Sequence, residues 1–343
     1  KFCDFLDYSS AKVRKKEGSG YFVKEFKGKR ILIIGDMIAD IYLKGDISRI
    51  SREAPVLVLI ESEEKTVAGG AANVVNNVAT LGGKAFAVGI LGEDKGALNL
   101  KQILEENNVN TEGMFCDQNR KTITKTRVIA GGRATVSQQV VRIDRECNEV
   151  ISEIYEKELM NYIQMVMPQM QGVVMSDYGS GTITPKIRDL ILSLSKEYDI
   201  PSIIDSRYAI FNFVGTDYVK QNDAELASAV GYKIDNEEIL YKAAQEFLVK
   251  MQAKGILVTR GEKGMTLFEA NGDVHNIPVS DKSEVFDVSG AGDTCVATFI
   301  TALATGAMPS QAAELSNFAS GIAVRKMGTA TVSDEELIAV LKK

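Results

Sequence analysis

The chain has 343 residues, of which 45% are hydrophobic and 25% are charged, and its net charge is −6. This length and composition predict a globular protein with one large α/β domain or two ordinary ones. The acidic charge disfavours nucleic acid as a partner, because nucleic-acid-binding proteins usually carry a basic surface. No apolar run approaches the roughly 18 residues that a membrane-spanning helix needs, so no membrane association is expected.

Cysteine and histidine are too sparse to suggest a cysteine- or histidine-based site. Cys3, Cys116, Cys147 and Cys295 are widely spaced and include no C-x-x-C pair, which disfavours a zinc site or a disulfide framework. His275 is the only histidine, so serine–histidine catalysis and histidine-rich metal sites are also disfavoured. We therefore expect a cytoplasmic protein whose chemistry depends on carboxylates, amides, hydroxyls and basic side chains.

The chain opens with a charged segment and then a buried strand. Residues 1–27 predict an N-terminal extension to a domain that covers 28–343. Residues 30–34 (RILII) are a run typical of a buried parallel strand. Asp36 and Asp40 follow it directly, at the carboxyl end where open α/β sheets bind ligands. The plainer alternative is that these two carboxylates cap the end of the strand.

Two later segments differ in character from the rest of the chain. Residues 42–66 contain alternating apolar residues with Pro55 at an edge, and residues 122–144 contain two β-prone runs joined by Gly131 and Gly132. Together they predict a separate, small β-sheet that projects from the domain. From residue 151 onward, helix-like and strand-like patterns alternate, which predicts a mostly parallel sheet covered by helices on both faces.

Residues 287–294 (DVSGAGDT) carry the strongest chemical signal in the sequence. The glycines Gly290 and Gly292 let backbone amides converge, and an apolar helix-like run follows, so phosphate would be attracted to a helix N-terminus. Asp293 stands at the mouth of this turn, where a carboxylate could take a proton. The pattern predicts phosphoryl transfer to a hydroxyl; the alternative is an ordinary glycine turn with Asp293 as the N-cap.

Other nucleotide-binding patterns are missing from the sequence. It contains no G-x-x-x-x-G-K-[ST], no H-R-D and no D-F-G, so neither a P-loop protein nor a protein kinase is indicated. Gly290 and Gly292 begin like a dinucleotide fingerprint, but Cys295 stands where the third glycine belongs, late in the chain. A nicotinamide-dependent dehydrogenase is therefore a distant alternative.

Four motifs resemble those of the ribokinase-like (PfkB) carbohydrate kinases, in the same order and at similar separations. They are residues 68–76 (AGGAANVVN), 222–225 (NDAE), 258–264 (VTRGEKG) and 287–293 (DVSGAGD). The resemblance covers about residues 28–343. It implies a three-layer α/β/α sandwich with a mostly parallel central sheet, a small β-sheet lid at about 42–66 and 122–144, and ATP with Mg²⁺ as cofactors.

The resemblance also implies roles for individual residues. Asp293 would be the general base, next to an anion hole formed by Gly290, Ala291 and Gly292. Asn222 and Glu225 would organise Mg²⁺, although Asn-x-x-Glu is equally a helix capping box. The nucleotide would be bound by Asn222, Thr259, Gly261, Gly264 and Asn317. In some relatives a monovalent cation lies near the positions of Asp287 and Ser289.

Within the family, the sequence is most similar to the kinases that phosphorylate D-glycero-D-manno-heptose 7-phosphate at the anomeric hydroxyl. Residues 45–56 (GDISRISREAPV) resemble their lid segment, and 176–179 (SDYG) also fit. Two departures are Arg52, where proline is usual, and Asp205-Ser-Arg207, where Asp-Pro-Lys is usual. The implied substrate-binding residues are Asp36, Asp40, Gly69, Gly70, Asn73, Arg49, Lys125, Arg127, Arg142 and Asp177.

The expected function is therefore an ATP-dependent sugar kinase that makes a heptose 1,7-bisphosphate for lipopolysaccharide or another surface glycan. A homodimer through the lid is expected, because an open β edge pairs readily with another strand. A PfkB-type kinase for ribose, fructose or a hexose phosphate is the alternative within the family. A sugar- and nucleotide-binding protein without catalysis is the alternative from another class, and the presence of Asp293 disfavours it.

Overall fold

The computed structural model describes residues 19–132, 135–279 and 285–342, so most of the predicted N-terminal extension lies outside the described residues. The strands are, in chain order, β1 (Arg30–Gly35), β2 (Met37–Ile50), β3 (Leu57–Gly70), β4 (Lys84–Gly92), β5 (Asn110–Asp117), β6 (Ile123–Gly132), β7 (Thr135–Arg145), β8 (Gly172–Asp177), β9 (Ser202–Ser206), β10 (Tyr218–Asn222), β11 (Gly255–Thr259), β12 (Met265–Glu269) and β13 (Val274–Ile277). The helices are α1 (19–25), α2 (Ala71–Thr80), α3 (Lys95–Glu106), α4 (Glu153–Val166), α5 (Pro185–Glu197), α6 (Asp223–Val230), α7 (Glu237–Met251), α8 (Ala291–Ala304), α9 (Pro309–Ala323) and α10 (Asp334–Leu341).

The main sheet of the described residues has nine strands in the order β13-β12-β11-β10-β9-β8-β1-β4-β5. The strands from β11 to β5 pair in parallel, while β12 and β13 add an antiparallel edge. Because β1 lies between β4 and β8, the strand order runs in opposite directions on its two sides. This is a topological switch point, where the loops at the carboxyl ends diverge and leave a crevice for ligands.

The alternating side chains of β1 show why the sheet is covered on both faces. Ile31 and Ile33 pack into a core with α2, α3, α8, α9 and α10, and Leu32 and Ile34 pack into a second core with α4 to α7. All four side chains are 0% exposed, and burying each contributes about 1.5–3 kcal/mol. Two helical layers therefore enclose the sheet, which confirms the predicted three-layer α/β/α fold.

A separate four-stranded sheet has the order β3-β2-β6-β7. It is continuous with the main domain: only Asp36 separates β1 from β2, and α2 begins directly after β3. The ends of β2 and β3 next to the main sheet are buried, whereas their far ends are exposed. No helix in the described part of the chain is long and apolar enough to cross a bilayer.

Two elements differ from the sequence-based prediction. Strand β5 was not predicted, because the polar residues in NTEGMFCD interrupt the alternation that indicates a strand. In the segment after residue 151, where a helix-like pattern is expected, α4 ends at Val166, and Met167–Gln169 form a 3-10 turn. Pro168 explains this end, because proline has no backbone N–H and cannot continue the helical hydrogen bonding.

Candidate active site

The site forms at the carboxyl end of β1, at the switch point of the main sheet. The Asp36 carboxylate there accepts hydrogen bonds from the backbone amides of Tyr178 (2.8 Å) and Ser180 (3.1 Å). Asp36 is 1% exposed, and this burial raises its pKa. These contacts join the end of β1 to the loop after β8. Asp36 thus has a structural role at the strand end, as the plainer alternative supposed, and its contact with a sugar stays a prediction.

The predicted glycine turn is the start of α8. Gly290 is the N-cap with φ of 80°, a conformation that favours glycine, and a Cβ there would lie 2.6 Å from Nδ2 of Asn73. A Cβ on Gly292 would lie 2.9 Å from Nζ of Lys220. Ala291 and Gly292 line the adjacent cleft. The first turn of α8 therefore presents its amides and positive helix end beside a lysine, which suits an anion.

Asp293, in the first turn of α8, is 5% exposed. Its Oδ1 accepts a hydrogen bond from the Tyr178 hydroxyl (3.0 Å), and its Oδ2 accepts one from Nδ2 of Asn73 (2.8 Å). Burial raises the pKa of Asp293 to about 6; the charge of Asp205 also raises it, while the two hydrogen bonds and Lys220 lower it. A carboxylate with these properties is suited to take a proton near neutral pH.

Asn73 contacts Asp293, the candidate general base. Besides donating to Asp293, it is held from within α2 by Asn77, whose Nδ2 donates to the carbonyl (3.0 Å) and Oδ1 (3.2 Å) of Asn73. Oδ1 of Asn77 in turn accepts from the Thr294 hydroxyl (3.1 Å). The amides of α2 and the first turn of α8 thus form one buried network. The predicted contact between Asn73 and a sugar remains a prediction.

Gly69 and Gly70 allow the backbone of β3 to approach the end of β1 closely. A Cβ on Gly69 would lie 2.6 Å from Oδ2 of Asp40, and one on Gly70 would lie 2.7 Å from the carbonyl oxygen of Asp36. Gly70 also has φ of 54° as the N-cap of α2. These positions exclude side chains next to Asp40 and Asp36, and the predicted contact of Gly69 and Gly70 with a sugar stays a prediction.

Lys220 is a candidate functional residue to which the sequence motifs assigned no role. Its Nζ lies 3.0 Å from Oδ2 of Asp205 and 4.0 Å from Oε2 of Glu225. Although burial lowers the pKa of Lys220, the charges of Asp205 and Glu225 outweigh burial and raise it above its ordinary value. Lys220 therefore stays protonated. A lysine in the middle of a short strand that is buried within the parallel sheet was the available signal.

The four-stranded sheet places charged side chains on one face near the site. In register, Asp40 pairs with Lys125, and Tyr42 pairs with Arg127, so residues two apart on each strand share a face. Arg127 forms an ion pair with Asp40, with 3.0 Å between Nη1 and Oδ1. Nζ of Lys125 lies 5.1 Å from the ring centroid of Tyr178. The cationic face is thus directed at the residues around Asp293.

Three other predicted substrate residues are engaged elsewhere. Arg142 lies opposite Arg127 in register and donates to both carboxylate oxygens of Asp144, which partly compensates its charge. Arg49 lies on the exposed far half of β2. Asp177 accepts from the Ser206 hydroxyl (2.7 Å) at the ends of two neighbouring strands. The structure does not bring these three side chains to Asp293, and their contact with substrate stays a prediction.

The predicted nucleotide residues lie together in a cleft of about 620 Å³ that Asp293 and Tyr178 also line. Gly264, with φ of 82°, follows a short turn after β11, and a Cβ there would lie 2.1 Å from the carbonyl oxygen of Ile277. Nδ2 of Asn317 donates to the carbonyl of Pro278 (2.8 Å). The cleft is also lined by Asn222, Glu225, Thr259, Gly261, Gly290, Ala291 and Gly292.

Asn222 and Glu225 form the capping box that their spacing also allowed. Oδ1 of Asn222 accepts from the Glu225 amide, and Oε2 of Glu225 accepts from the Asn222 amide, both at 2.8 Å. These bonds start α6 and orient both side chains at the cleft. Carboxylate and amide oxygens are the ligand type that Mg²⁺ prefers, so the pair also fits the predicted metal role.

Together, the three-layer fold and this cleft define a phosphotransferase of the α/β class. The buried carboxylate of Asp293 belongs to the anion-attracting N-terminus of α8, and Tyr178 links it to Lys125 on the four-stranded sheet. The chain belongs to the pfkB family of carbohydrate kinases, because the profile described as "pfkB family carbohydrate kinase" matches residues 29–336. This match confirms the family and the sugar-kinase class that the sequence motifs predicted.

Similar proteins include two that are named bifunctional protein HldE. That of Desulfatibacillum aliphaticivorans is 39% identical over 321 residues, which cover 93% of this chain and 64% of the relative. That of Citrifermentans bemidjiense is 38% identical over 311 residues, which cover 90% of this chain and 63% of the relative. The chain therefore spans slightly less than two thirds of the length of these relatives.

Solved structures with the same fold include two sugar kinases. Arabidopsis thaliana ribokinase complexed with ribose and ATP matches 92% of this chain and 99% of its own, with a TM-score of 0.71 and 20% identity. Escherichia coli phosphofructokinase-2 in complex with substrates and products matches 92% of this chain and 98% of its own, with a TM-score of 0.73 and 19% identity. They confirm the ribokinase-like fold.

Proposed function

We propose that this chain is a cytoplasmic kinase that transfers the γ-phosphate of ATP to the anomeric hydroxyl of D-glycero-D-manno-heptose 7-phosphate. The observation that carries this proposal is the Asp293 carboxylate, which Asn73 and Tyr178 hold in the wall of the nucleotide cleft, with Lys125 of the four-stranded sheet against the Tyr178 ring. The heptose assignment draws on the resemblance of residues 45–56 to the lid of heptose 7-phosphate kinases. The product, a 1,7-bisphosphate, would supply the synthesis of a surface glycan such as lipopolysaccharide.

In this reaction Asp293 accepts the proton of the acceptor hydroxyl while the hydroxyl oxygen attacks the γ-phosphorus. The bond from the γ-phosphorus to the bridging oxygen breaks, and ADP leaves with that oxygen. The amide of Gly292 and the ammonium group of Lys220 stabilise negative charge on the transferred phosphoryl group, and the Ala291 amide, which donates to the Val288 carbonyl at 3.3 Å, adds to the positive end of the helix. Because phosphoryl transfer needs little covalent chemistry from the protein, positioning and electrostatics supply most of the rate enhancement.

Asn222 and Glu225 are the residues that we propose hold Mg²⁺, through water, beside the phosphates of ATP. When bound, the ion would neutralise charge on those phosphates. A monovalent cation near Asp287 and Ser289 remains a proposal from the resemblance. The Asp287 carboxylate accepts hydrogen bonds from the amides of Ser289 (2.8 Å) and Gly328 (3.0 Å), so it already orders this loop next to the glycine turn.

The charges around Tyr178 favour an acceptor that already carries a phosphate. Lys125 and Arg207 both lie against the aromatic ring of Tyr178. The guanidinium carbon of Arg207 is 4.8 Å from the ring centroid. Burial lowers the pKa of Lys125, and the charges of Arg207 and Arg142 lower it further, while those of Asp40 and Asp144 raise it. Cations that repel one another near a catalytic carboxylate are stabilised by a bound dianion. An unphosphorylated sugar would not need them.

The first test compares ATP consumption, with Mg²⁺, on heptose 7-phosphate, on heptose and on a panel of other sugars and sugar phosphates. We expect turnover on heptose 7-phosphate. The Lys125→Met change should raise the KM for this acceptor roughly tenfold or more, through the loss of a charge-assisted contact, and leave the KM for ATP unchanged.

Lys44→Met provides the matched control, because Lys44 pairs with Glu63 (2.9 Å) on the exposed part of the same sheet. Turnover only on an unphosphorylated sugar would retain the kinase and reject the heptose assignment. Binding of ATP without turnover on any acceptor would favour the binding-protein alternative.

The pKa of Asp293 predicts how the rate depends on pH. Since burial raises this pKa to about 6, the carboxylate is protonated and unable to accept a proton below that pH. We expect kcat/KM to fall tenfold per pH unit below about pH 6, and to be level at neutral pH. Rates measured across this range in constant ionic strength provide the check, and a profile that stays level down to pH 5 would contradict the role of Asp293.

We also propose that two copies of the chain pair through the four-stranded sheet. The two edge strands of this sheet, β3 and β7, carry exposed apolar side chains. Ile60 is 62% exposed, Ile143 is 58% exposed and Leu57 is 48% exposed. Within the described residues, nothing pairs with the outer edge of either strand. A second copy would cover both the apolar side chains and the open backbone groups.

Ile60→Asp with Ile143→Asp should give a monomer, because each change places a charge in the proposed interface. Light scattering during size-exclusion chromatography measures the mass directly. Val249→Asp is the control, since Val249 is 78% exposed on α7, away from this sheet. A wild-type protein that is already monomeric at micromolar concentration would exclude the proposed dimer.

A further inference from the structure

Tyr178 connects the catalytic carboxylate with the cations of the acceptor side. Its hydroxyl donates to Oδ1 of Asp293 at 3.0 Å, and its ring lies within 5.1 Å of Lys125 and 4.8 Å of Arg207. Its backbone amide donates to the buried Asp36 carboxylate, which anchors the loop after β8. The backbone of Tyr178 is thus anchored, and two cationic side chains pack against its ring, so its hydroxyl has a defined position.

The hydroxyl of Tyr178 keeps its proton throughout the working pH range. Burial, together with the charges of Asp293 and Asp205, raises the pKa of Tyr178 well above its ordinary value, and the opposing effect of Arg207 is smaller. A neutral phenol beside a carboxylate can only donate a hydrogen bond. This bond therefore stabilises the ionised form of Asp293 and opposes the effect of burial on that group.

Other charged and polar groups act on Asp293 from every neighbouring element. Asn73 on α2 donates to Oδ2, Asp205 on β9 repels the ionised form, and Lys220 on β10 attracts it. Arg207, which follows β9, lies close enough for its own pKa to be raised by the charge of Asp293. Tyr178 is the donor to the other oxygen, Oδ1, so the two oxygens of the carboxylate are held from opposite sides of the site.

We infer that Tyr178 is a positioning residue of the phosphoryl transfer, whose hydroxyl orients the Asp293 carboxylate and keeps it ionised at neutral pH. This inference rests on the proposed function, because it concerns the base of that reaction. With one donor on each oxygen, the plane of the carboxylate is fixed, and its remaining lone pairs are available to the acceptor hydroxyl. Proximity and orientation of this kind supply a large part of catalysis.

The test is the pH dependence of kcat/KM for the acceptor, measured from about pH 4.5 to 8.5 for wild type, Tyr178→Phe and Tyr155→Phe. Loss of a hydrogen bond to the ionised form raises the pKa of Asp293, so we expect the acid limb of Tyr178→Phe to move up by about one pH unit. Tyr155→Phe is the matched control, because its hydroxyl donates to the carbonyl of Cys116 (2.8 Å) away from the cleft. Its profile should coincide with that of wild type.

An acid limb that does not move in Tyr178→Phe would overturn the inference. Loss of activity at every pH in a folded Phe variant would also overturn it, because the hydroxyl would then do more than position the base. Tyr178→Leu supplies a second variant without the hydroxyl if the first does not fold. Failure of the proposed function has a different signature: the wild type would not phosphorylate the acceptor, or Asp293→Asn would retain full activity.

Discussion

Replacing Asp293 with asparagine should lower kcat roughly 10²–10⁴-fold at neutral pH and leave the KM for ATP nearly unchanged. An asparagine amide has the same shape as the carboxylate but cannot accept the proton of the acceptor hydroxyl. Binding of ATP should persist, because asparagine keeps the shape of the side chain and the other residues that line the nucleotide cleft are unchanged. A coupled assay of ADP release measures kcat, and Asp273→Asn, on the exposed turn between β12 and β13, is the control.

Unfolding would not explain such a loss of activity. The folded-state pKa of Asp293, about 6, lies above the value of about 3.9 expected in the unfolded chain. The stability that this group contributes is therefore fully present below pH 4 and is lost as the pH rises through about 6. At neutral pH the buried carboxylate lowers the free energy of unfolding, so the asparagine variant should unfold at a similar or higher temperature than wild type. Calorimetry at two pH values checks this sign.

Removing the charge of Lys220 should have the second-largest effect, a fall of roughly 10²–10³-fold in kcat. Its ammonium group is buried beside the first turn of α8, where it is not screened by water, and a Cβ on Gly292 would lie only 2.9 Å away. Lys220→Met alone leaves Asp205 without its partner, so Lys220→Met should be measured together with Lys220→Met/Asp205→Asn. In the double variant Asp205 no longer carries an uncompensated charge, while Glu225 and Asp293 still lose the lysine, and the loss of kcat should remain.

Lys254→Met is the control for Lys220, because Lys254 pairs with Asp217 (2.8 Å) at an exposed position. Its kcat should equal that of wild type. A Lys220→Met/Asp205→Asn protein with wild-type kcat would mean that Lys220 only neutralises Asp205. A fall in kcat that also appears in Asp205→Asn alone would assign the effect to the carboxylate instead of the lysine.

The fold was largely predictable because its determinants are local. The run of Ile31 to Ile34 indicates a strand that is buried on both faces, and repeated strand–helix patterns indicate a parallel sheet. Strand β5 was not predicted, since its pairing with β4 depends on the sheet and not on its own polar sequence. The start of β2 at Met37, next to β1, was also not expected, because the alternating pattern that indicates the small sheet begins only at about residue 42.

The site was predictable where its residues are adjacent in the sequence. Asp293 and the glycines before it are one turn of one helix, so a short motif predicts their chemistry. The contact between Tyr178 and Asp293 joins residues that are 115 positions apart, and it depends on the order of strands in the sheet. Lys220 and Asp205 meet only because β9 and β10 are neighbours. Spacing alone does not predict that order.

Asn222 and Glu225 show a different limit. Their spacing is compatible with both a capping box and a metal role, and the side chains that start α6 are also those that line the cleft. Local hydrogen-bonding rules therefore cannot separate the two roles. Lysine at position 220, two residues before the capping asparagine, distinguishes this segment from an ordinary helix start, because a buried cation needs carboxylates nearby.

Because the four-stranded sheet is joined directly to the main domain, a small tilt at the joined end would displace its far end by a much larger distance. Strands β2 and β3 leave the core side by side with no linker, and Met37 pairs with Gly70 at the pivot. Ile50 lies ten residues beyond Asp40, roughly 33 Å along the strand, so a rotation of about ten degrees would move it by about 6 Å. Asp40 and Gly69, at the pivot, would hardly move. We therefore expect that, if this sheet is the predicted lid, its far end moves over a bound sugar while the contacts nearest to the reacting hydroxyl keep their positions.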